Sequence, residues 1–171
     1  MSKKKKQQLE KTLVEKILDQ QKIAYRQVSY ETEFDHGVAQ VNNTSLNKNE
    51  DLVYKTLVTE GKKTGPVVGV VPLSGHLSLK KLAKVSGNKK VEMIPLKQLE
   101  KTTGYVHGAN TPIGIFHTHH FPIYLDESMQ EHDEICVSSG KIGRSIYLKP
   151  ADLAKVCQAK FYDLQEEKPE S

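Results

Sequence analysis

Cysteine is scarce in this chain, and long apolar runs are missing. Two cysteines among 171 residues are too few for a disulfide framework, so we expect both to remain thiols in a reducing compartment. No apolar run approaches the roughly 20 residues that span a bilayer. The basic start Met1–Lys6 is not followed by the apolar core of a signal peptide. We therefore expect a cytoplasmic protein without a membrane partner.

The composition is that of one globular domain. Hydrophobic residues make up 37% and charged residues 27% of the sequence, which argues against intrinsic disorder. A length of 171 residues is also close to that of a single domain. We assign residues 1–6 to a flexible basic N-terminus, residues 7–164 to the domain and residues 165–171 to a C-terminal tail.

Positive charge is concentrated in the middle of the chain. The formal net charge is +4, yet residues 76–105 alone hold seven lysines against two glutamates. Such a segment is found in phosphate-binding surfaces and also on solvated helix faces. The lysine count alone favours the solvated face.

Hydrophobic periodicity predicts the elements of the first half. Apolar residues at helical spacing predict a helix over residues 7–21, and strand formers predict a strand over 23–30. The polar stretch 31–50 is expected to be a loop with one short helix, able to cover a site. A hairpin is expected from strands 53–59 and 67–73, because a turn flanked by glycines joins two apolar runs.

Two helices are expected next. Ser78 is a candidate N-cap for a helix that stops at Gly87, and a second short helix is expected over residues 96–103. The stretch 104–122, rich in glycine, proline and histidine, is expected to be mostly loop.

The last third contains a strand pair and a helix. Strands 134–138 and 145–148 are expected to pair, and Pro150 is expected to open a final helix that reaches Leu164. Helices and strands that alternate without a regular βαβ repeat favour an α+β domain around a mixed sheet.

None of the usual nucleophiles stands out. Cys157 repeats with Leu153 and Val156 on one predicted helix face, and Cys136 lies in an apolar strand. Buried free cysteines behave mainly as small hydrophobic side chains. The sequence also lacks a Gly-x-Ser-x-Gly elbow. These patterns disfavour a catalytic thiol or a serine triad.

Histidines cluster at His117, His119 and His120, ten or more residues after His107. Imidazoles two residues apart on a strand share a face, which suits a zinc site. However, there is no His-Glu-x-x-His arrangement and no cysteine pair to complete a site. A solvated loop is favoured, and a metal-dependent hydrolase stays open as an alternative.

Two other features concern ligand binding. Gly104, Gly108 and Gly114 bracket a loop that Pro112 stiffens, and glycines let backbone amides approach a ligand closely. Lys55 lies inside an apolar strand, where an isolated buried ammonium group is costly. It is therefore either an edge residue or a ligand-binding residue, and the residues alone leave the choice open.

Four motifs follow one another along the chain. They are Val53–Val58, Leu77–Met93, Thr103–Gly114 and Val137–Arg144, with Asp152–Lys155 near the end. Together they resemble the YbaK/EbsC family of aminoacyl-tRNA deacylases, which is related to the editing domain of bacterial prolyl-tRNA synthetase. The resemblance extends over about residues 20–164, and it rests on the order and spacing of the motifs.

The resemblance implies roles for single residues. Lys55 corresponds to the lysine of the family's site, where a fixed cation favours the oxyanion formed during attack on an ester. The implied substrate-binding residues are Tyr30, Gly108, Ala109, Thr111, Pro112 and Ser145. Thr111 replaces the usual serine of a Gly-x-x-x-Pro loop and keeps its hydroxyl group, whereas Ser145 stands where relatives often carry aspartate. Asp126 matches an acidic position in relatives, and we assign it no role of its own in the reaction.

The implied fold is a single domain with a mixed sheet or partly closed barrel flanked by helices. The implied activity is trans-editing, the removal of misattached cysteine from tRNA(Pro). In this reaction the thiol of the attached cysteine attacks the ester, and the cysteinyl group is released as a cyclic thiolactone. No cofactor and no metal are needed. The expected partners are tRNA and, secondarily, prolyl-tRNA synthetase. Weak tRNA contacts are expected from Lys80, Lys81, Lys84, Lys89 and Lys90.

Alternatives to this function remain open at this stage. A deacylase for another small amino acid such as alanine would have the same motifs, because the sequence does not show the size of the pocket. A non-catalytic module that holds a nucleotide or aminoacyl ligand is a further alternative. The sequence also leaves open the identity of the tRNA and the oligomeric state.

Overall fold

The computed structural model describes residues 10–29 and 51–167, together with the backbone of residues 32–35 and 38–41. The helices are α1 (Leu13–Gln20), α2 (Leu79–Ser86), α3 (Leu96–Thr103), α4 (Pro112–His119) and α5 (Pro150–Cys157). The strands are β1 (Arg26–Ser29), β2 (Thr32–Asp35), β3 (Val38–Val41), β4 (Tyr54–Gly61), β5 (Gly65–Pro72), β6 (Val91–Met93), β7 (Ile123–Asp126), β8 (Ile135–Lys141), β9 (Arg144–Leu148) and β10 (Lys160–Tyr162). Within these ranges no helix has the length and apolar character needed to cross a membrane.

A mixed five-stranded sheet forms the centre, in the order β10-β7-β5-β4-β6. Strand β7 is parallel to both its neighbours, whereas β4 is antiparallel to both of its own. A second, antiparallel sheet has the order β1-β9-β8, and a single parallel bridge between Val53 and Cys136 connects the two sheets. The predicted α+β class and mixed sheet are confirmed, and the described strands do not close into a barrel.

Strand β5 is central because its sequence is apolar on both faces. Val68 and Val70 are fully buried in the larger core, which also contains α1, α4 and α5. Val67 and Val71 are fully buried in a smaller core beneath α2. Helices on both faces of the sheet thus explain why this strand has no polar side, as expected for a central strand.

Local signals define α2 and α3 as predicted. The Ser78 side chain accepts a hydrogen bond from the backbone N–H of Lys81 and caps α2, which ends at Gly87 in the left-handed conformation. Helix α3 likewise ends at left-handed Gly104. The hairpin β4–β5 and the pairing of β8 with β9 are also as predicted.

Two predictions of secondary structure are wrong, and a third missed an element. The stretch 104–122 is mostly loop as predicted, but it also contains α4, a helix that Thr111 caps and Pro112 opens. The stretch 31–50 is not simply a loop, since β2 and β3 pair within it; its other residues lie outside the described part, as do residues 1–9. The final helix ends at Cys157, after which the chain forms β10.

The segment after β10 is attached to the domain by Asp126. This buried carboxylate accepts hydrogen bonds from the backbone N–H of Leu164 at 2.9 Å and from the side chain of Gln165 at 2.8 Å. Gln165 also pairs with Leu77 in an isolated bridge. The chain is therefore bonded to the domain at the start of the predicted tail, and residues 168–171 lie outside the described part.

Candidate active site

A cavity of about 420 Å³ opens where β4 and β8 separate. The two strands come together at the Val53–Cys136 bridge. Strand β6 covers the outer edge of β4 only from Thr59 onward. Residues 54–58 of β4 therefore border the cavity, whose volume is typical of small-molecule sites.

The cavity walls are apolar with a few polar groups. Leu57, Val58, Ile94, Leu99 and Val137 form apolar wall. The polar side chains that border the cavity are Lys55, Thr56, His107, Asn110, Ser138, Arg144 and Ser145. A largely apolar enclosure strengthens the electrostatic effect of each polar group inside it.

Lys55 lies on the exposed edge of the central sheet. It pairs with Val71 across β4 and β5, and its neighbour Tyr54 is buried. Its side chain is only partly exposed, and it has no hydrogen bond or ion pair to any residue in the described part of the chain. The ammonium group is therefore available to an anionic or developing negative charge in the cavity.

The loop after α3 contributes another part of the cavity wall, through His107, Gly108 and Asn110. The Thr103 hydroxyl donates to the Asn110 side chain at 3.0 Å, and the backbone N–H of Ala109 donates to the carbonyl of Val106 at 3.0 Å. These two hydrogen bonds hold the loop of residues 104–109 in place. Gly108 has a φ of +92°, a conformation that glycine adopts without strain, and it borders the cavity.

The structure brings three of the predicted site residues together at this cavity: Lys55, Gly108 and Ser145. Ala109, Thr111 and Pro112 are buried and are not among the residues that line the cavity. The Thr111 hydroxyl instead accepts a hydrogen bond from the backbone N–H of Gly114 at 3.3 Å. Tyr30 lies outside the described residues.

Comparison with known proteins gives this cavity a family context. The model of the aminoacyl-tRNA editing domain matches residues 38–156. EbsC of Enterococcus faecalis, proposed as a Cys-tRNA(Pro)/Cys-tRNA(Cys) deacylase, is 44% identical over 96% of this chain and 98% of its own length. The chain belongs to the aminoacyl-tRNA editing domain family.

Solved structures agree with the fold of this editing domain. A proposed trans-editing enzyme for prolyl-tRNA synthetase superposes with a TM-score of 0.65 and 24% identity, covering 73% of this chain and 77% of its own. The hypothetical protein APE2540 superposes with a TM-score of 0.76 and 16% identity, covering 90% and 99%. At these identities the similarity concerns the fold.

Ser138 and Arg144 are among the cavity residues of the editing domain that were not singled out from the sequence. Ser138 lies directly opposite Ser145 in the β8–β9 pair. Arg144 bonds the buried carboxylate of Glu15, 129 positions away. The hairpin pattern was a signal for Ser138, because residues that pair in an antiparallel ladder share a face. No local pattern identifies the partner of Arg144.

The histidines belong to the helix end that the sequence did not predict. His119 and His120 close α4, where His119 bonds the carbonyl of Thr103 at 3.0 Å through its Nε2 atom and stacks on Phe121. His117 and His120 are exposed, as predicted, but the histidines lie on a helix and its end and not in a loop. Within the described residues, no group of three or more His, Cys, Asp or Glu side chains is arranged to hold a metal ion.

The cysteines lie in the core as predicted. Cys136 is 0% and Cys157 1% exposed, and burial strongly raises the pKa of the Cys157 thiol. A protonated, inaccessible thiol is a poor nucleophile. Neither cysteine borders the cavity.

Proposed function

We propose that this editing domain is a trans-acting deacylase that removes cysteine from Cys-tRNA(Pro). The observation that carries the proposal is the cavity that joins Lys55 to Gly108 in a chain 44% identical to EbsC. The cavity is large enough for a small aminoacyl group, and Lys55 supplies an unpaired cation at its edge. Aminoacylated tRNA is accordingly the substrate, and the cytoplasm, where tRNA is charged, is the expected compartment.

The thiol of the substrate is the proposed nucleophile. Its sulfur forms a bond to the ester carbonyl carbon and gives up its proton, and the carbonyl oxygen becomes an oxyanion. Collapse of this intermediate breaks the bond to the ribose oxygen, which takes up a proton. The products are tRNA with a free terminal hydroxyl group and a cyclic thiolactone, so atoms balance without an added reactant.

The chain contributes position and charge to this reaction. The Lys55 ammonium group stabilises the oxyanion, which needs more stabilisation than the neutral ester does. The backbone around left-handed Gly108 approaches the aminoacyl group without the obstruction of a Cβ atom. Holding sulfur and carbonyl in a reactive arrangement supplies much of the remaining rate.

Prolyl-tRNA synthetase is a proposed second partner. Support comes from the resemblance to its editing domain, and a structural neighbour is described as a trans-editing enzyme for that synthetase. In this arrangement the synthetase charges the tRNA and this chain removes the wrong amino acid.

The experiment is release of labelled cysteine from Cys-tRNA(Pro) by the wild type, by Lys55→Ala and by Lys55→Arg. We expect Lys55→Ala to lower kcat by about 10²-fold or more, as for removal of one oxyanion-stabilising group, with tRNA affinity kept. Lys55→Arg should recover part of the rate because it keeps the charge. Ser-tRNA(Pro), in which a hydroxyl group replaces the thiol, should react far more slowly.

Other outcomes assign the site differently. If Ala-tRNA(Pro) is cleaved and Cys-tRNA(Pro) is not, the domain removes alanine and the thiol mechanism is wrong. If wild type binds charged tRNA but releases no amino acid from the cysteinyl, alanyl and seryl forms, the domain is a binding module.

A further inference from the structure

A second concave surface lies at the other end of β6. Its lining residues are Glu60, Lys62, Lys63, Gly87, Asn88, Lys89, Lys90 and Glu92. They come from the end of β4 and the turn after it, and from β6 and the connection between α2 and β6. Four lysines against two glutamates make this surface basic, and we call it the basic basin.

The basic basin keeps a net positive charge after its two glutamates are counted. Lys90 pairs with Glu92 at 2.9 Å, and this contact lowers the pKa of the Glu92 carboxyl group. Lys62, Lys63 and Lys89 are exposed, and their ammonium groups form no ion pair within the described part of the chain. These three exposed lysines on two adjacent loops, together with the nearby Glu60 carboxylate, leave a net charge of +2 that favours a polyanion.

Asn88 holds these two loops together. Its side-chain oxygen accepts from the backbone N–H of Lys63 at 3.0 Å, and its amide nitrogen donates to the Thr64 hydroxyl at 2.9 Å. Asn88 is buried, and a Cβ atom at Gly61 would overlap it. The loops are therefore fixed before a ligand arrives, which lowers the entropy cost of binding.

Strand β6 connects the basic basin to the cavity. Glu92 and Lys90 border the basin, whereas Met93 and Ile94 border the cavity. With a rise of about 3.3 Å per residue, Lys90 and Ile94 lie about 13 Å apart. One RNA strand can span this distance with its end in the cavity.

We propose that the basic basin binds the phosphate backbone of the RNA whose aminoacylated end occupies the cavity. The inference rests on the proposed function for the identity of that end. It adds Lys62 and Lys63 to the lysines predicted from the sequence to contact tRNA, and it retains Lys89 from that set. It excludes Lys81, whose ammonium group already bonds Asp163 at 2.9 Å and the carbonyl of Gln165 at 2.7 Å.

The test is the affinity of the folded chain for fluorescently labelled, uncharged tRNA(Pro) at several salt concentrations. The variant Lys62→Ala/Lys63→Ala/Lys89→Ala should bind at least about tenfold more weakly at 0.1 M salt. The slope of log K against log salt should fall by about 3, or roughly one for each lost phosphate contact.

The matched control is Lys149→Ala/Lys155→Ala/Lys160→Ala, which removes the same charge from exposed positions around α5. Its tRNA affinity should stay within about threefold of the wild type, since these lysines lie outside the basic basin. If only nonspecific electrostatic attraction mattered, both triple variants would lose the same affinity. Equal affinities of the two triple variants would overturn the proposal.

Turnover measurements separate this inference from the proposed function. The basin variant should raise KM for Cys-tRNA(Pro) while kcat stays unchanged, and a short cysteinylated oligonucleotide should be cleaved as by the wild type. If the wild type cleaves neither substrate but the basin variant loses tRNA affinity, only the deacylase proposal fails. If both are cleaved and the basin variant behaves as wild type, only the basin proposal fails.

Discussion

The guanidinium group of Arg144 bonds the buried carboxylate of Glu15, with Nη2 at 3.1 Å from Oε1 and 2.9 Å from Oε2. Glu15 is fully buried, and its Oε1 atom also accepts from the Gln27 side chain and from the backbone N–H of Thr12. Arg144 borders the cavity next to Ser145. This pair therefore attaches the first turn of α1 to the strand that carries one wall of the site.

Removal of Arg144 should be strongly destabilising. In Arg144→Met the Glu15 carboxylate stays buried without its cation, which costs about 3–5 kcal/mol in comparable cases. Urea denaturation of the variant and the wild type measures the free energy of unfolding. The matched double variant Glu15→Gln/Arg144→Met removes both charges and should recover part of the loss. If the loss in the double variant equals the sum of the losses in Glu15→Gln and Arg144→Met measured singly, the two side chains are not energetically coupled.

Local and distant interactions differ in how well the sequence predicts them. The β4–β5 hairpin and the capped start of α2 follow from neighbouring residues, and both were predicted. Helix α4 was missed because Ile113, Gly114 and Ile115 are consecutive buried residues, so no amphipathic period marks them.

The candidate site shows the same difference. Lys55, Gly108 and Ser145 were chosen through the family resemblance, and they border one cavity in the structure. The bond between Arg144 and Glu15 depends on a pairing across 129 positions. No local rule supplies such a pairing, because it arises only when α1 packs beside the β1-β9-β8 sheet.

Gly108 offers a test of backbone conformation at the cavity. Gly108→Ala meets no neighbouring atom, but it places a side chain in the left-handed region at φ +92°, which costs about 1–2 kcal/mol. Gly104 is a matched control, with a φ of +87°, open space around it and no position in the cavity lining. Both alanine variants should lose similar stability by urea denaturation. Only Gly108→Ala should lower kcat/KM. Equal values of kcat/KM for the two variants would show that Gly108 has no specific role in the site.

Asp126 is expected to anchor the segment after β10. Asp126→Ala removes the acceptor for the backbone N–H groups of Leu164 and Ser128 and for the Gln165 side chain. Hydrogen bonds to a charged group contribute about 1.5–3 kcal/mol each, so we expect a loss of about 2–4 kcal/mol after partial rearrangement. Hydrogen exchange at Leu164 should accelerate. Unchanged exchange at Leu164 in Asp126→Ala would show that other contacts hold the segment.

Cys157 should make the stability of the domain fall in alkaline solution. Burial raises the pKa of its thiol far above the ordinary 9.0, so the folded chain keeps a proton that the unfolded chain loses. The contribution is complete below pH 9 and declines as the pH rises further, by at most about 1.4 kcal/mol per pH unit. Urea denaturation between pH 8 and 10.5 should show a steeper decline for the wild type than for Cys157→Ala. Burial also raises the pKa values of Tyr54 and Tyr105, but these tyrosines are present in both proteins and affect both pH curves alike. If the free energy of unfolding declines with pH in parallel for the two proteins, the Cys157 thiol titrates normally in the folded state.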